Sequence, residues 1–182
     1  MNKEKYNMSD KMKSIKESKV IYAVLLNLLV FVVFQIAFKP MYETNDDNYI
    51  SSIAYGVFGG GYDSHLVYMN ILMGKVYKAL LSIVSPDVPW YAIIQYALLF
   101  ISFSSILYIF LFNNKIIYRW LFCWIFIIFY GYECYVKVQY SKTTEIVAAA
   151  GILLIYTAIK EKKNKEICFN IRNIINNMCQ SL

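Results

Sequence analysis

Long uncharged, apolar runs alternate along this chain with short stretches that carry lysines. The first run, Val20 to Phe38, holds 19 residues interrupted only by Asn27 and Gln35. At about 1.5 Å rise per residue it approaches the ~30 Å hydrocarbon core of a bilayer. Lys39 and Pro40 end it. Trp90 to Phe112 is a second run, 23 residues without a charge, with Trp90 and Tyr91 placed where interfacial aromatics are favoured. Trp120 to Val136 is a third, flanked by Lys115, Arg119 and Lys137. Thr143 to Ile159 is a fourth, with Glu145 near its start and the small-residue run Ala148 to Gly151 suited to close helix packing. The pattern predicts an all-α, polytopic membrane protein with about four transmembrane helices, at 20–38, 90–112, 120–136 and 143–159. Residues 1–19 form a polar N-terminal segment, 20–160 the membrane domain and 161–182 a tail.

The stretch between the first two runs, 39–89, reads as an outer loop carrying juxtamembrane helices. Within it His65 to Val84 is long enough to cross, but Lys75 and Lys78 fall in its middle. A helical reading puts Asn70, Gly74, Lys78 and Ser82 on one polar stripe, with Leu66, Met69, Met73, Val76 and Leu80 opposite. Such a helix suits the membrane surface better than its centre. Basic residues decide between the two threadings. With four spans and an inside N-terminus, thirteen Lys and Arg lie on the cytoplasmic side and five elsewhere; a fifth span at 65–84 would leave eight on each side. The positive-inside bias favours four spans with both termini cytoplasmic, in a plasma membrane, most naturally a bacterial one.

Composition agrees with that reading. Charged residues make up 16% of the 182 positions, below the roughly 25% of soluble domains. The net charge of +6 comes from lysines at the ends of apolar runs, without a basic stripe or stacking motif, so nucleic acid is excluded as a partner and membrane lipid expected. Four cysteines without a CxxC pair suggest neither a disulfide framework nor a metal site. Asn27 and Gln35, eight apart, share a helix face and should hydrogen-bond to neighbouring spans.

Candidate chemistry is confined to the outer loop. Thr44-Asn45-Asp46-Asp47 followed by Tyr49, Ile50 and Ile53 predicts a short helix, with Thr44 as N-cap, Asp47 completing a capping box, and Gly59 to Gly61 ending it. Asp63 and His65 offer two ligands at most, too few for a metal site. No P-loop, dinucleotide fingerprint, HExxH or GxSxG occurs. On residue types alone the aspartate pair serves as a helix cap.

The order of one span, an acidic pair, a short helix, a Gly-rich turn and a surface helix resembles the N-terminal part of the GT-C glycosyltransferase superfamily. The residues that carry the likeness are Thr44 to Tyr49, Ala54-Tyr55-Gly56, Gly59-Gly60 and His65 to Asn70. The resemblance implies transfer of a sugar from a polyprenyl-phosphate donor in cell-envelope glycan assembly. Asp46 first, and Asp47 second, would act as catalytic base or hold a divalent cation. Lys137 and Lys142, in the second outer loop, would bind the lipid phosphate, although Glu133 and Glu145 lie near enough in sequence to pair with them. Members of that superfamily have many more spans, so the expectation is a truncated fragment, inactive alone. The contrasting expectation is a non-catalytic transport or scaffold subunit in which the acidic loop only caps a helix.

Overall fold

The computed structural model describes the backbone of residues 2–112 and 118–180, and side chains of 17–111 and 118–162. Six helices and one short ladder make up the described chain. They are α1 (Asn2–Ala37), β1 (Met41–Tyr42), α2 (Asn45–Ala54), α3 (Ile71–Ile83), α4 (Trp90–Phe112), α5 (Arg119–Tyr135), β2 (Lys137–Val138) and α6 (Tyr140–Gln180). The all-α expectation holds for everything except the two-residue strands. Expectations for Cys168, Cys179, Arg172 and Lys115 fall outside the described side chains.

Three helical stretches are long and apolar enough to cross a membrane: Glu17–Ala37, Trp90–Leu111 and Tyr140–Lys162. The third expected span, Trp120 to Val136, corresponds to α5, which is not among these three and whose 17 residues extend about 25 Å. Helix α4 is the hub of the bundle and packs against α1, α5 and α6, while α1 also meets α5. Apolar residues recur at helical spacing on each inward face: Ala23, Leu26, Val30 and Phe34 on α1; Leu99, Phe103, Leu107 and Leu111 on α4; Cys123, Ile127 and Cys134 on α5. The opposite faces keep large apolar side chains exposed, among them Leu25, Leu29, Ile101, Phe129 and Ile155. A water-soluble surface would not carry that many. Helices α1 and α5 approach closely at Gly131, where an added methyl would sit 3.3 Å from the Phe34 ring.

One polar node lies inside this apolar bundle. The Asn27 amide donates to the Phe100 carbonyl and to Ser104 Oγ, each at 2.9 Å. Its Oδ1 accepts from the Tyr135 hydroxyl at 2.8 Å. Gln35 Nε2 reaches the Tyr135 carbonyl at 3.4 Å. The face shared by Asn27 and Gln35 therefore joins α1 to α4 and α5, as expected. Replacing Asn27 with Leu should destabilise the bundle by about 1–2 kcal/mol, because Tyr135 loses its acceptor where water cannot replace it. Unfolding in bicelles measures this, and a loss below a few tenths would show that the node contributes nothing net.

The β ladder sets the polarity of the bundle. Strands β1 and β2 pair in parallel, Met41 opposite Lys137 and Tyr42 opposite Val138. The bonds that flank it are Met41 N to the Val136 carbonyl at 2.9 Å and Glu43 N to the Val138 carbonyl at 3.0 Å. Because β1 follows α1 and β2 follows α5, both helices leave the bundle at one end. Helices α4 and α6 enter at that same end, so the loops 38–89 and 136–139 form a single head over it.

Two sequence-based boundaries need correction. The expected helix His65 to Val84 begins only at Ile71, where Asn70 caps it by accepting from Leu72 N at 2.8 Å. Residues 65–69 instead turn, with Tyr68 at φ 61°. Its protein-facing side is Gly74, Tyr77 and Leu81, so Gly74 belongs to the buried face and not to an outer polar stripe. Helix α2 stops at Ala54, before the triple glycine, and the turn is made by Gly56 at φ 75°. An added Cβ at Gly56 would stand 2.6 Å from the Gly61 carbonyl oxygen.

Candidate functional site

The head has its own small core. Ile50 and Ala54 from α2, Leu66 from the turn before α3, Tyr77 and Leu81 from α3, and Tyr91 from α4 pack together, bordered by Tyr42, Met73 and Tyr140. Tyr55 fastens this core to the start of α4: its hydroxyl donates to the Val88 carbonyl at 2.6 Å and accepts from Trp90 N at 3.0 Å.

Asp47 lies at the centre and is 0% exposed. One carboxylate oxygen accepts from the Tyr91 hydroxyl at 2.8 Å and from the backbone N–H of Tyr140 at 2.9 Å. The other accepts from Thr44 Oγ1 at 2.9 Å. Thr44 occupies the N-cap of α2 as expected, but its hydroxyl serves the carboxylate and makes no cap bond to the backbone. Asp47 thus ties together α2, α4 and α6, which are far apart in sequence. It lies in the first turn of α2. Tyr42, Tyr77 and Tyr91 surround it, with ring centroids 5.7 Å apart for Tyr42–Tyr91 and 5.5 Å for Tyr77–Tyr91. Burial, and then the Asp47 charge, push the Tyr42 hydroxyl up to about 12, and burial is also the first cause of an upward shift at Tyr77. Both hydroxyls therefore stay protonated at neutral pH. The Tyr77 hydroxyl is buried without a hydrogen-bond partner.

Asp46, the neighbouring residue, is exposed on the first turn of α2. The aspartate pair therefore divides into one interior anchor and one solvent-facing carboxylate. A cation would find Asp46 available but Asp47 already accepting three donors, and no group of three or more His, Cys, Asp or Glu converges among the described residues. The donor set does not fit a bound divalent cation.

Lys137, in β2, and Lys142, in the first turn of α6, stand at the same end. Lys142 bridges Glu43 and Glu133, reaching Glu133 Oε2 at 3.2 Å. Lys137 pairs with Glu133 Oε1 at 3.3 Å and lies 5.7 Å from the Tyr132 ring centroid. Glu133 pairs with both lysines; Glu43, rather than Glu145, supplies the other carboxylate. The anchor roles of Tyr91 and Tyr140 and the part played by Glu43 were missed by sequence reading. Only Trp90-Tyr91 at a span entrance signalled anything, and it signalled an interface. Asp63 and His65 form a separate exposed pair, Oδ1 to Nδ1 at 2.9 Å, and the His65 backbone and side-chain bonds hold the Asp63 carboxyl below its usual range.

Comparison with family models, curated proteins and solved structures found no match to this chain.

Proposed function

We propose that this protein is a four-span membrane protein, with α5 as the additional span and both termini cytoplasmic, whose outer head is of the GT-C glycosyltransferase type. The observation that carries the reading is the division of labour in the aspartate pair. Asp47 ties the start of α2 to α4 and α6, and so fixes the helix backbone from which the exposed Asp46 carboxylate projects at the head. Fixing a reactive group from behind with a saturated neighbour is what positioning for chemistry requires. Asp46 would accept the proton of an acceptor hydroxyl as its oxygen attacks the anomeric carbon; the bond from that carbon to the donor phosphate breaks and the lipid phosphate departs. Lys137 and Lys142 would meet that phosphate by exchanging their contacts to Glu133 and Glu43. Thirteen basic residues on one side against five on the other support the threading.

A second reading, a non-catalytic scaffold subunit, draws on the same Asp47, since three satisfied bonds explain a buried carboxylate without any reaction. The two part at Asp46. In nanodiscs, a photoreactive polyprenyl-phosphate sugar should label the chain, unphosphorylated polyprenol should not compete, and the double variant K137Q/K142Q should reduce labelling several-fold. An Asp46→Cys variant should react with an impermeant maleimide only from the side opposite the termini. Labelling no stronger than that by a polyprenol probe would sink the enzyme reading, and reaction of Asp46→Cys from the terminal side would sink the threading.

A further inference from the structure

A cleft of about 590 Å³ lies between the turn that precedes α3 and the first two turns of α6, apart from the Asp46 and lysine corner. Tyr68, Asn70 and Met73 form one wall; Tyr140, Ser141 and Glu145 form the other, with Ala148 at its inner end. Its α6 wall lies within the apolar stretch Tyr140–Lys162, running from Tyr140 and Ser141 at the start of the helix past Glu145 to Ala148, so polar and apolar side chains line it together. An amphiphile fits that mixed lining. The charge of the lining narrows the choice further: Glu145 is its one ionisable acid, and neither lysine nor arginine contributes. A ligand whose only charge is a phosphate or carboxylate would therefore meet a like charge without compensation, whereas a zwitterion brings its own cation to Glu145.

The two tyrosines add a second constraint. Tyr68 and Tyr140 present nearly parallel rings, 8° between planes and 6.4 Å between centroids. Tyr68 does so from φ 61°, a left-handed conformation costly for a bulky side chain, while remaining 70% exposed. Burial does not repay that cost, because the ring is mostly in the open. Aromatic faces beside a carboxylate form the usual receptor for an alkylammonium ion, held through the ring quadrupole and the opposite charge.

We propose that this cleft binds the ammonium headgroup of a membrane lipid, with Glu145 as counter-ion, Tyr68 and Tyr140 as the aromatic walls, and the acyl part lying along Met73 and Ala148. The site does not depend on the glycosyltransferase reading.

The test uses the full chain in nanodiscs containing phosphatidylethanolamine, phosphatidylcholine or phosphatidylglycerol, with bound lipid counted by native mass spectrometry. Retention of the two ammonium lipids should exceed that of phosphatidylglycerol by about tenfold, the scale that a partly desolvated cation–π site with a counter-ion gives. Glu145→Gln should cut that preference to about threefold or less. Tyr68→Gly is the second variant: glycine accepts the positive φ without strain, so the fold should be kept or gain stability while the preference falls. Equal retention of all three lipids, or a preference unchanged in both variants, would overturn the proposal. So would displacement of the lipid by millimolar free ethanolamine, which would assign the cleft to a soluble amine.

Discussion

Asp47→Ala is expected to destabilise the head by roughly 3–5 kcal/mol. Alanine removes the acceptor for three donors at once: the Tyr91 hydroxyl, the Tyr140 amide and the Thr44 hydroxyl. Two of these belong to different helices of the bundle, and the side chain lies fully inside the structure, so water cannot readily take its place. Asp47→Asn should cost less, about 1–2 kcal/mol. Its remaining oxygen can keep Tyr91 and Tyr140, and its amide can face Thr44, whose hydroxyl is able to turn and accept. Hydrogen exchange at the Tyr140 amide reads the event directly: protection should drop strongly in the alanine variant and modestly in the asparagine variant. Unchanged protection in Asp47→Ala would mean that the carboxylate does not join α2 to α6. The same pair of variants bears on function. If photolabelling by the polyprenyl-phosphate sugar tracks head stability through both variants, Asp47 acts by positioning; if Asp47→Asn abolishes labelling with the head intact, Asp47 itself takes part in donor binding.

The bundle was legible in the sequence for a plain reason. The bundle helices are written as uninterrupted apolar runs whose ends carry charge, so α4 emerges at its observed bounds Trp90–Phe112 and the helix α5 within one residue. The head was less legible because its defining contacts are long-range. Asp47 meets Tyr140 across 93 positions and Tyr91 across 44, and no local pattern encodes either. The parallel ladder joins Met41 to Lys137 through two residues per strand, too short for any alternation to register. The aspartate pair was found, but its two members could not be told apart by residue type; the difference between them is burial. The stripe on α3 failed for a related reason. Counting polar residues put glycine among them, whereas glycine at that place marks a close approach of backbone to backbone.

That close approach is Gly74. Helix α3 lies so near the chain at Ser64 that a methyl on Gly74 would overlap the Ser64 carbonyl oxygen and stand 2.7 Å from its carbonyl carbon. The obstacle is backbone on both sides, so no rotamer change relieves it. Gly74→Ala must move α3 or the 62–68 turn, and is expected to cost about 1–3 kcal/mol. Displacing the turn also displaces Tyr68, so the cleft beside α6 should open and lose its lipid preference together with stability. Gly59, Gly60 and Gly61 provide the control. An added methyl at any of them meets nothing within 4 Å, and none has a positive φ, so Gly→Ala there should stay within about 0.5 kcal/mol of the parent. The contrast can be measured by thermal unfolding of the four alanine variants in the same nanodiscs. A triple-glycine variant as damaging as Gly74→Ala would show that the loop, and not the contact between Ser64 and α3, determines the shape of the head.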